Sequence, residues 1–500
     1  MPAIFTHEFD TPTYKGKTQF CTGLFIDGQF VGGSNKGHID IINPTTGQLI
    51  TQISEGTATD VDLAVSAAEK AMETVWGLNM PGAQRGALLL KLADLIDENK
   101  EELAALEALD NGKAYLIALH ADIPMCSSMV RYYAGWADKI HGKTIETNEA
   151  KFAYTRHEPI GVVGAIIPWN FPLMMFINKI APALATGNAV VIKPSEVTPL
   201  TALRACELIK AAGFPPGVLN VVTGYGPTVG DAIAHHPRID KVTFTGSVLT
   251  GKKVMRAAAE SNLKKVTLEL GGKSANIVYD DADLDQAIKW SASALFFNHG
   301  QACIAGSRIF VQEGIHDKFL EGLTQCAKAI KLGDPFSADT VHGPLVSKIQ
   351  YERVTSYIKS GKDEGATVHC GGDQAAEKGF YVQPTLFTGV HADMKIVKEE
   401  IFGPVGVVIK FKDEADIIKK ANDSIYGLAA YVFSQNITRA IESAHKLKAG
   451  SIWVNSGALP SPNVPFGGYK QSGFGREMGE YALDDFTVVK AVHINLGQRL

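Results

Sequence analysis

Cysteine is scarce in this chain of 500 residues: Cys21, Cys126, Cys206, Cys303, Cys326 and Cys370 are scattered, with no CxxC pair. That spacing fits neither a disulfide framework nor a zinc site, so reduced thiols and no bound metal are expected. Surplus basic charge is also missing, with 48 Lys and Arg against 53 Asp and Glu and a net charge of −5. Nothing in that balance attracts a phosphate backbone, which excludes nucleic acid as an expected partner. Apolar runs break before the roughly 20 residues a membrane helix needs. The first ten residues lack the basic start and apolar core of a signal peptide and the arginines of a presequence. A cytoplasmic protein with no membrane partner is therefore expected.

What the chain does have is enough apolar content, 45%, to fill full cores over about three domains. Asp27-Gly28 between short apolar flanks predicts a hairpin. Helical periodicity predicts helices over 60–76, 81–97 and 115–141. Alternation over 143–160, and an apolar terminal segment over 486–494, predict strands that need a sheet edge to pair with. Between 160 and 272, short apolar strands at 162–167, 189–192, 218–222, 242–244 and 266–270 alternate with helix-length segments such as 199–212, stopped by Gly213. The alternation resumes at 276–278, with a helix over 284–298 and strands at 308–311, 405–409, 429–433 and 451–454. Buried strand alternating with helix means parallel, doubly wound sheets, so the fold class is α/β with two such units and a tight boundary near Gly271-Gly272. Ligands of these sheets lie outside the carboxyl ends of the strands.

The segments just after the strands carry the chemistry. Pro168-Trp169-Asn170-Phe171-Pro172 is a turn stiffened by two prolines, and its one amide suits an oxyanion donor. Lys193-Pro194-Ser195-Glu196 puts a lysine and a carboxylate where a ribose can be held, and the carboxylate repels a 2′-phosphate. Gly224 to Gly230 and Gly246 to Lys253 are glycine-rich helix openings that let amides approach an anion. The second nearly matches a nucleotide-hydrolase loop, but Lys253 stands where a serine or threonine must ligate magnesium, which argues against that activity. Glu269, between Leu268 and Leu270, is a carboxylate whose proton affinity burial would raise toward that of a general base. His235-His236 is a lone pair, read as surface. Glu399 to Val405 sets a carboxylate and Phe402 before a turn, and 465–477 has four glycines in thirteen residues interleaved with aromatics. Finally, Phe297-Asn298-His299-Gly300-Gln301-Ala302-Cys303 offers a single cysteine among small neighbours, a candidate nucleophile or a plain buried thiol.

Taken in order, PWNFP at 168–172, KPSE at 193–196, GS with Gly251 at 246–251, LELGGKS at 268–274, GQAC at 300–303, EIFGP at 400–404 and PFGGYKQSG at 465–473 resemble the aldehyde dehydrogenase superfamily from about residue 20 to the end. Within it the chain resembles the hydrolytic, NAD-dependent, cytosolic class 1/2-like branch. The resemblance implies Cys303 as nucleophile, Glu269 as the base for the deacylating water, Asn170 with the Cys303 amide as oxyanion hole, and Glu477 as a proton relay. It implies NAD, favoured over NADP, held by Ile166, Ile167, Pro168, Trp169, Lys193, Ser195, Glu196, Gly226, Gly230, Phe244, Gly246, Ser247, Thr250, Leu270, Gly271, Gln350, Glu400 and Phe402. Among these, Lys193 and Glu196 would hold the adenosine ribose, Trp169 and Gly226 the adenine end, and Glu400 and Phe402 the nicotinamide ribose. Retention of Glu269 favours hydrolysis over transfer to coenzyme A.

By position the substrate funnel would be lined by Phe171, Met175, Asn178, Phe297, Ala302, Ile304, Leu459, Pro460 and Phe466. Asn178 and Pro460 replace bulkier aromatics of relatives that prefer small aldehydes, so a wider funnel for medium aliphatic or aromatic aldehydes is expected. Ala302 and Ile304 leave Cys303 no vicinal disulfide partner. The implied organisation is an NAD-binding domain over 1–141 and 161–271, a catalytic domain over 272–484, and an oligomerisation module over 142–160 and 485–500. That module would build a homotetramer, a dimer of dimers, or a simple dimer. A non-catalytic structural member of the same fold is the alternative, against which intact Cys303, Glu269 and Asn170 argue.

Overall fold

The computed structural model describes residues 3–373, 375–376 and 378–500. Its first sheet has eight strands in the order Gly473–Phe474, Lys265–Glu269, Lys241–Thr245, Val162–Ile166, Ala189–Lys193, Leu219–Val221, Leu24–Ile26 and Gln29–Val31. The five central strands are parallel, and every residue of Val162–Ile166 and Ala189–Lys193 is buried, as a sheet covered on both faces requires. The hairpin at Asp27-Gly28 forms as expected, with Asp27 at φ 50° and Gly28 at φ 73°. It closes the far edge antiparallel to Leu219–Val221. Sequence order runs outward from Val162–Ile166 on one side, then returns to Lys241–Thr245 on the other, which puts a topological switch point between these two strands.

The second sheet has seven strands in the order Thr367–Cys370, Thr385–Thr388, Val405–Phe411, Arg308–Gln312, Ala275–Val278, Ala429–Phe433 and Ser451–Val454, all parallel except the first pair. A separate three-stranded sheet joins Thr487–Asn495, Lys151–Pro159 and Thr144–Asn148. The two segments expected to share one module thus pair in one antiparallel ladder.

Several boundaries differ from those read in the sequence. The expected helix 115–141 ends at Ala134, and its start is split by a five-residue wide turn, Ala118–Asp122. Pro124 has no N–H to return to the preceding turn, which accounts for the break. The helix expected to 298 ends at Phe296. The helix Lys100–Asn111 and the hairpins Ile4–Asp10 with Lys15–Cys21 and His38–Ile42 with Leu49–Ser54 lie in stretches where the sequence pattern singled out no element. The C-terminal end of the span 272–484 also behaves differently from expectation. Gly473–Phe474 extends the first sheet, and Met478, Ala482 and Leu483 pack into the same core as Leu173 and Phe176.

Candidate active site

Strand register assembles the first half of the site. Lys193 pairs with Ile166, Phe244 with Ile166, and Thr245 with Glu269, so the carboxyl ends of four parallel strands finish in one row. From that row the chain runs into the Pro168–Pro172 turn, the Lys193–Glu196 turn, Gly246-Ser247 and Leu270-Gly271. Ser247 caps the helix Val248–Ser261, its Oγ accepting from the Thr250 amide at 3.2 Å. Lys193 is buried, and its Nζ donates to Glu196 Oε2 at 2.9 Å and to the Pro194 carbonyl at 3.0 Å. Ile166, Ile167, Phe244, Ser195 and Gly230 are buried beneath this rim, while Glu196 keeps partial exposure and Gly226 and Thr250 are exposed.

The second half comes from the other sheet. After the helix Leu284–Phe296, Asn298 (φ 51°), His299 (φ 59°) and Gly300 (φ 68°) are all left-handed. Three such residues in succession reverse the chain. Their strain is held by Asn298 Nδ2, which donates to the carbonyls of Asn170 at 2.9 Å and Gln301 at 3.3 Å, and by His299 Nε2, which accepts from the Gly343 amide at 2.9 Å. Gly300 has no room for a side chain, since a Cβ there would lie 2.1 Å from the Gly403 carbonyl. The reversal delivers Cys303, partly exposed, to a cleft between the two sheets.

That cleft, about 170 Å³ in volume, brings together Pro168, Trp169, Asn170, Met175, Gly246, Ser247, Glu269, Leu270, Gly271, Cys303, Gln350, Glu400 and Phe402. Thr245 and Arg353 also line it. Asn170 Nδ2 donates to the Gln301 carbonyl at 2.9 Å, which fixes the amide and leaves its second N–H available. Glu269 is 6% exposed, and neither carboxyl oxygen has a hydrogen-bond partner. Burial pushes its proton affinity well above the usual carboxylate range, Glu477 reinforces the shift, and Lys179 opposes it. Burial, then Glu400 and Glu269, push the Cys303 thiol up as well. Burial holds Glu400 at about 7, although its Oε1 accepts from the Gly272 amide at 3.0 Å.

Glu477 sits behind Glu269, ion-paired to Lys179, bonded to the Asn178 amide, and within 3.4 Å of Thr245 Oγ1. Asn178, expected in the funnel wall, is therefore buried against Glu477. Trp169, expected at the adenine end with Gly226, instead meets Phe402 edge-on, ring centres 5.2 Å apart, in the same cleft as Cys303. Phe402 is left-handed (φ 62°), and Gln350 Nε2 donates to its carbonyl at 2.6 Å.

The funnel residues divide. Phe171 and Phe297 stack at 6.0 Å, Ala302 is buried, and the Ile304 carbonyl accepts from Tyr431 Oη at 2.8 Å. Leu459, Pro460 and Phe466 line a second depression, with Trp453 and Met478. Arg353 and Lys179 were not singled out by sequence reasoning. Arg353 lies in a helix, Lys348–Asp363, whose first turn also carries Gln350, and its guanidinium donates to the Glu400 carbonyl at 2.8 Å. The spacing of Gln350 and Arg353 on one helix face was the signal available. His236, read as surface, is 8% exposed and meets Asp62 at 3.3 Å. Among the described residues no cluster of His, Cys, Asp or Glu is arranged to hold a metal, and no helix is long and apolar enough to cross a membrane.

Residues 30–492 match the aldehyde dehydrogenase family. The chain is 62% identical over 500 residues to an aldehyde dehydrogenase of Agaricus bisporus, covering 100% of both. It is 51% identical over 482 residues to a mitochondrial aldehyde dehydrogenase of Rattus norvegicus, covering 96% of this chain and 93% of that one. The NAD+ complex of an aldehyde dehydrogenase from Bacillus cereus superposes with a TM-score of 0.94 at 52% identity, covering 95% of this chain and 97% of that one. With the fold, the cleft and these likenesses in agreement, the chain belongs to the aldehyde dehydrogenase family.

Proposed function

We propose that this chain oxidises aldehydes to carboxylic acids, with NAD as the electron acceptor and Cys303 as the nucleophile. The observation that carries this reading is the convergence of Cys303, Glu269 and Asn170, from distant parts of the sequence, on one cleft. The Cys303 sulfur, having given up its proton, attacks the aldehyde carbon, and the carbonyl oxygen becomes an oxyanion. The free N–H of Asn170 and the Cys303 amide are the donors for that charge, each such donor being worth about 2.7 to 4 kcal/mol. When bound, NAD supplies the acceptor for the hydride lost from this carbon. Glu269 then takes a proton from water, whose oxygen attacks the remaining thioester, and the Cys303 sulfur leaves with release of the acid. Lys179, Asn178 and Glu477 offer a route by which the Glu269 proton reaches solvent.

The cleft suits a dinucleotide on its own chemistry. Glycine at 246 and 271 leaves the backbone bare, since a Cβ would lie 2.6 Å from the Phe244 ring or 2.3 Å from Glu400 Oε2. Lys193 and Glu196 would hold the adenosine ribose, and the Glu196 carboxylate favours NAD over NADP. Glu400, Gln350 and Phe402 would hold the nicotinamide side. Pro460, beside Leu459 and Phe466 in the second depression, supports a funnel for medium aliphatic or aromatic aldehydes. The three-stranded sheet, whose exposed Val488, Val489 and Ile494 lie on one terminal strand, supports self-association as a homotetramer or dimer. Six unpaired cysteines support a reducing compartment, and the cytoplasm is the one proposed.

The test is NADH release over an aldehyde panel, with NAD and NADP side by side. Turnover that disappears in Cys303→Ser while NAD binding persists is the expected result. Turnover in that variant at the wild-type rate rejects the mechanism.

A further inference from the structure

The turn that presents Asn170 and Phe171 is gripped from behind by residues that do not themselves line the cleft. The helix Lys100–Asn111 ends at Gly112, left-handed at φ 80°, and the chain then turns inward through Lys113. Glu107, Asn111 and Lys113 are each 0% exposed. Glu107 and Asn111 are four apart, so they share one helix face. Asn111 Nδ2 donates to the Trp169 carbonyl at 2.7 Å, and Glu107 Oε1 accepts from the Leu173 amide at 2.8 Å.

These two bonds bracket the four peptides that carry Asn170 and Phe171. Leu173 lies in the first turn of the helix Pro172–Ala185, where amides have no partner within the helix. The Glu107 carboxylate therefore also places negative charge at a helix N-terminus, which stabilises it. Lys113 completes the grip: it is ion-paired to Asp122 and to Glu107 at 3.4 Å, and its Nζ stands 4.3 Å from the Phe171 ring centre. Phe171 in turn stacks on Phe297.

We infer that Glu107 and Asn111 are positioning residues that fix the Asn170 amide where the oxyanion develops, while Lys113 sets the Phe171–Phe297 wall. The inference rests on the oxidation reading given above. A donor held this way acts on the transition state rather than on ligand binding, so its loosening lowers kcat and spares KM.

The experiment compares Asn111→Leu, Glu107→Gln and Glu107→Leu with the wild-type full chain. It reads steady-state kcat and both KM values, together with hydrogen exchange of the peptide spanning 168–176. Asn111→Leu is expected to lower kcat by at least about tenfold, a modest misplacement of a reacting group being able to cost about a hundredfold. Its KM for NAD and aldehyde is expected to stay within about threefold, and exchange over 168–176 to rise by about tenfold. Glu107→Gln keeps an acceptor for the Leu173 amide and is expected to retain far more kcat than Glu107→Leu. If Glu107→Leu does not fold, Asn111→Leu decides alone.

An Asn111→Leu enzyme with kcat within about twofold of wild type, or with unchanged exchange over 168–176, overturns the inference. So does Glu107→Gln if it is as impaired as Glu107→Leu. An inactive wild type would reject the oxidation reading instead, and the exchange comparison would still decide whether the grip exists.

Discussion

Two buried carboxylates, Glu107 bonded to the Leu173 amide and Glu269 in the cleft with Asn170, are treated differently by the fold. Glu107 is 0% exposed but has the Lys113 ammonium and the Leu173 amide as partners. Glu269 is 6% exposed and has no hydrogen-bond partner among the described residues. Burial raises the proton affinity of both, and in each a cation opposes the shift and a second carboxylate reinforces it, but only at Glu107 do hydrogen bonds, from the Leu173 amide and Lys113, also pull against it. A satisfied carboxylate is a structural part; an unsatisfied one costs stability and is left reactive.

Breaking the pattern at Glu269 should produce the largest effect. Glu269→Gln is expected to lower steady-state turnover by about a hundredfold or more, a hundredfold being about the least that one positioned general base contributes. The same change should leave stability intact or improved. Because the folded-state pKa of Glu269 is raised above its ordinary 4.5, the folded chain keeps a proton that the unfolded chain has released. That group therefore costs stability as pH rises from the unfolded value through the raised one. Thermal melts across about pH 5 to 8 should show the Glu269→Gln chain gaining on wild type as pH rises. A constant offset would mean that Glu269 is not raised.

Breaking the pattern at Glu107 should do the reverse to stability. Lys113→Met leaves Glu107 and Asp122 buried without their cation, and denaturant melts should show a loss of about 3 to 5 kcal/mol. A smaller effect is expected from pH on the wild-type enzyme. Both the Cys303 thiol and Glu269 are pushed up and both must lose a proton, so kcat/KM should rise with pH through neutrality, as a pH–rate profile will show. The smallest effect concerns the rim, where Glu196→Ala should raise kcat/KM with NADP by about tenfold, roughly the 1.4 kcal/mol of one relieved like-charge contact. An NADP screen checks it.

The first side of this comparison was legible in the sequence and the second was not. Glu269 lies at a strand end between leucines, and parallel register alone places strand ends together, so Lys193, Gly246 and Glu269 could be found by inspecting the residues just past each strand. Cys303 could be named, but its delivery depends on three left-handed residues in succession, a backbone event that helical periodicity over 284–298 does not reveal. Glu107, Asn111 and Lys113 lie in a stretch where the sequence pattern singled out no element. Only the packing of this helix end against Trp169 and Leu173, about sixty residues away in sequence, gives them a role. The contacts of Asn178 with Glu477 and of Trp169 with Phe402 depend on side-chain geometry, which neither sequence position nor family resemblance supplies.

The central claim is that the unpaired Glu269 activates the water that frees the acid from Cys303. Intact-mass measurement of Glu269→Gln, mixed with NAD and a medium-chain aldehyde, tests it most directly. The expected result is an acyl adduct accumulating on Cys303 while turnover stalls. A variant that turns over close to the wild-type rate, or one in which no adduct forms on Cys303, contradicts it.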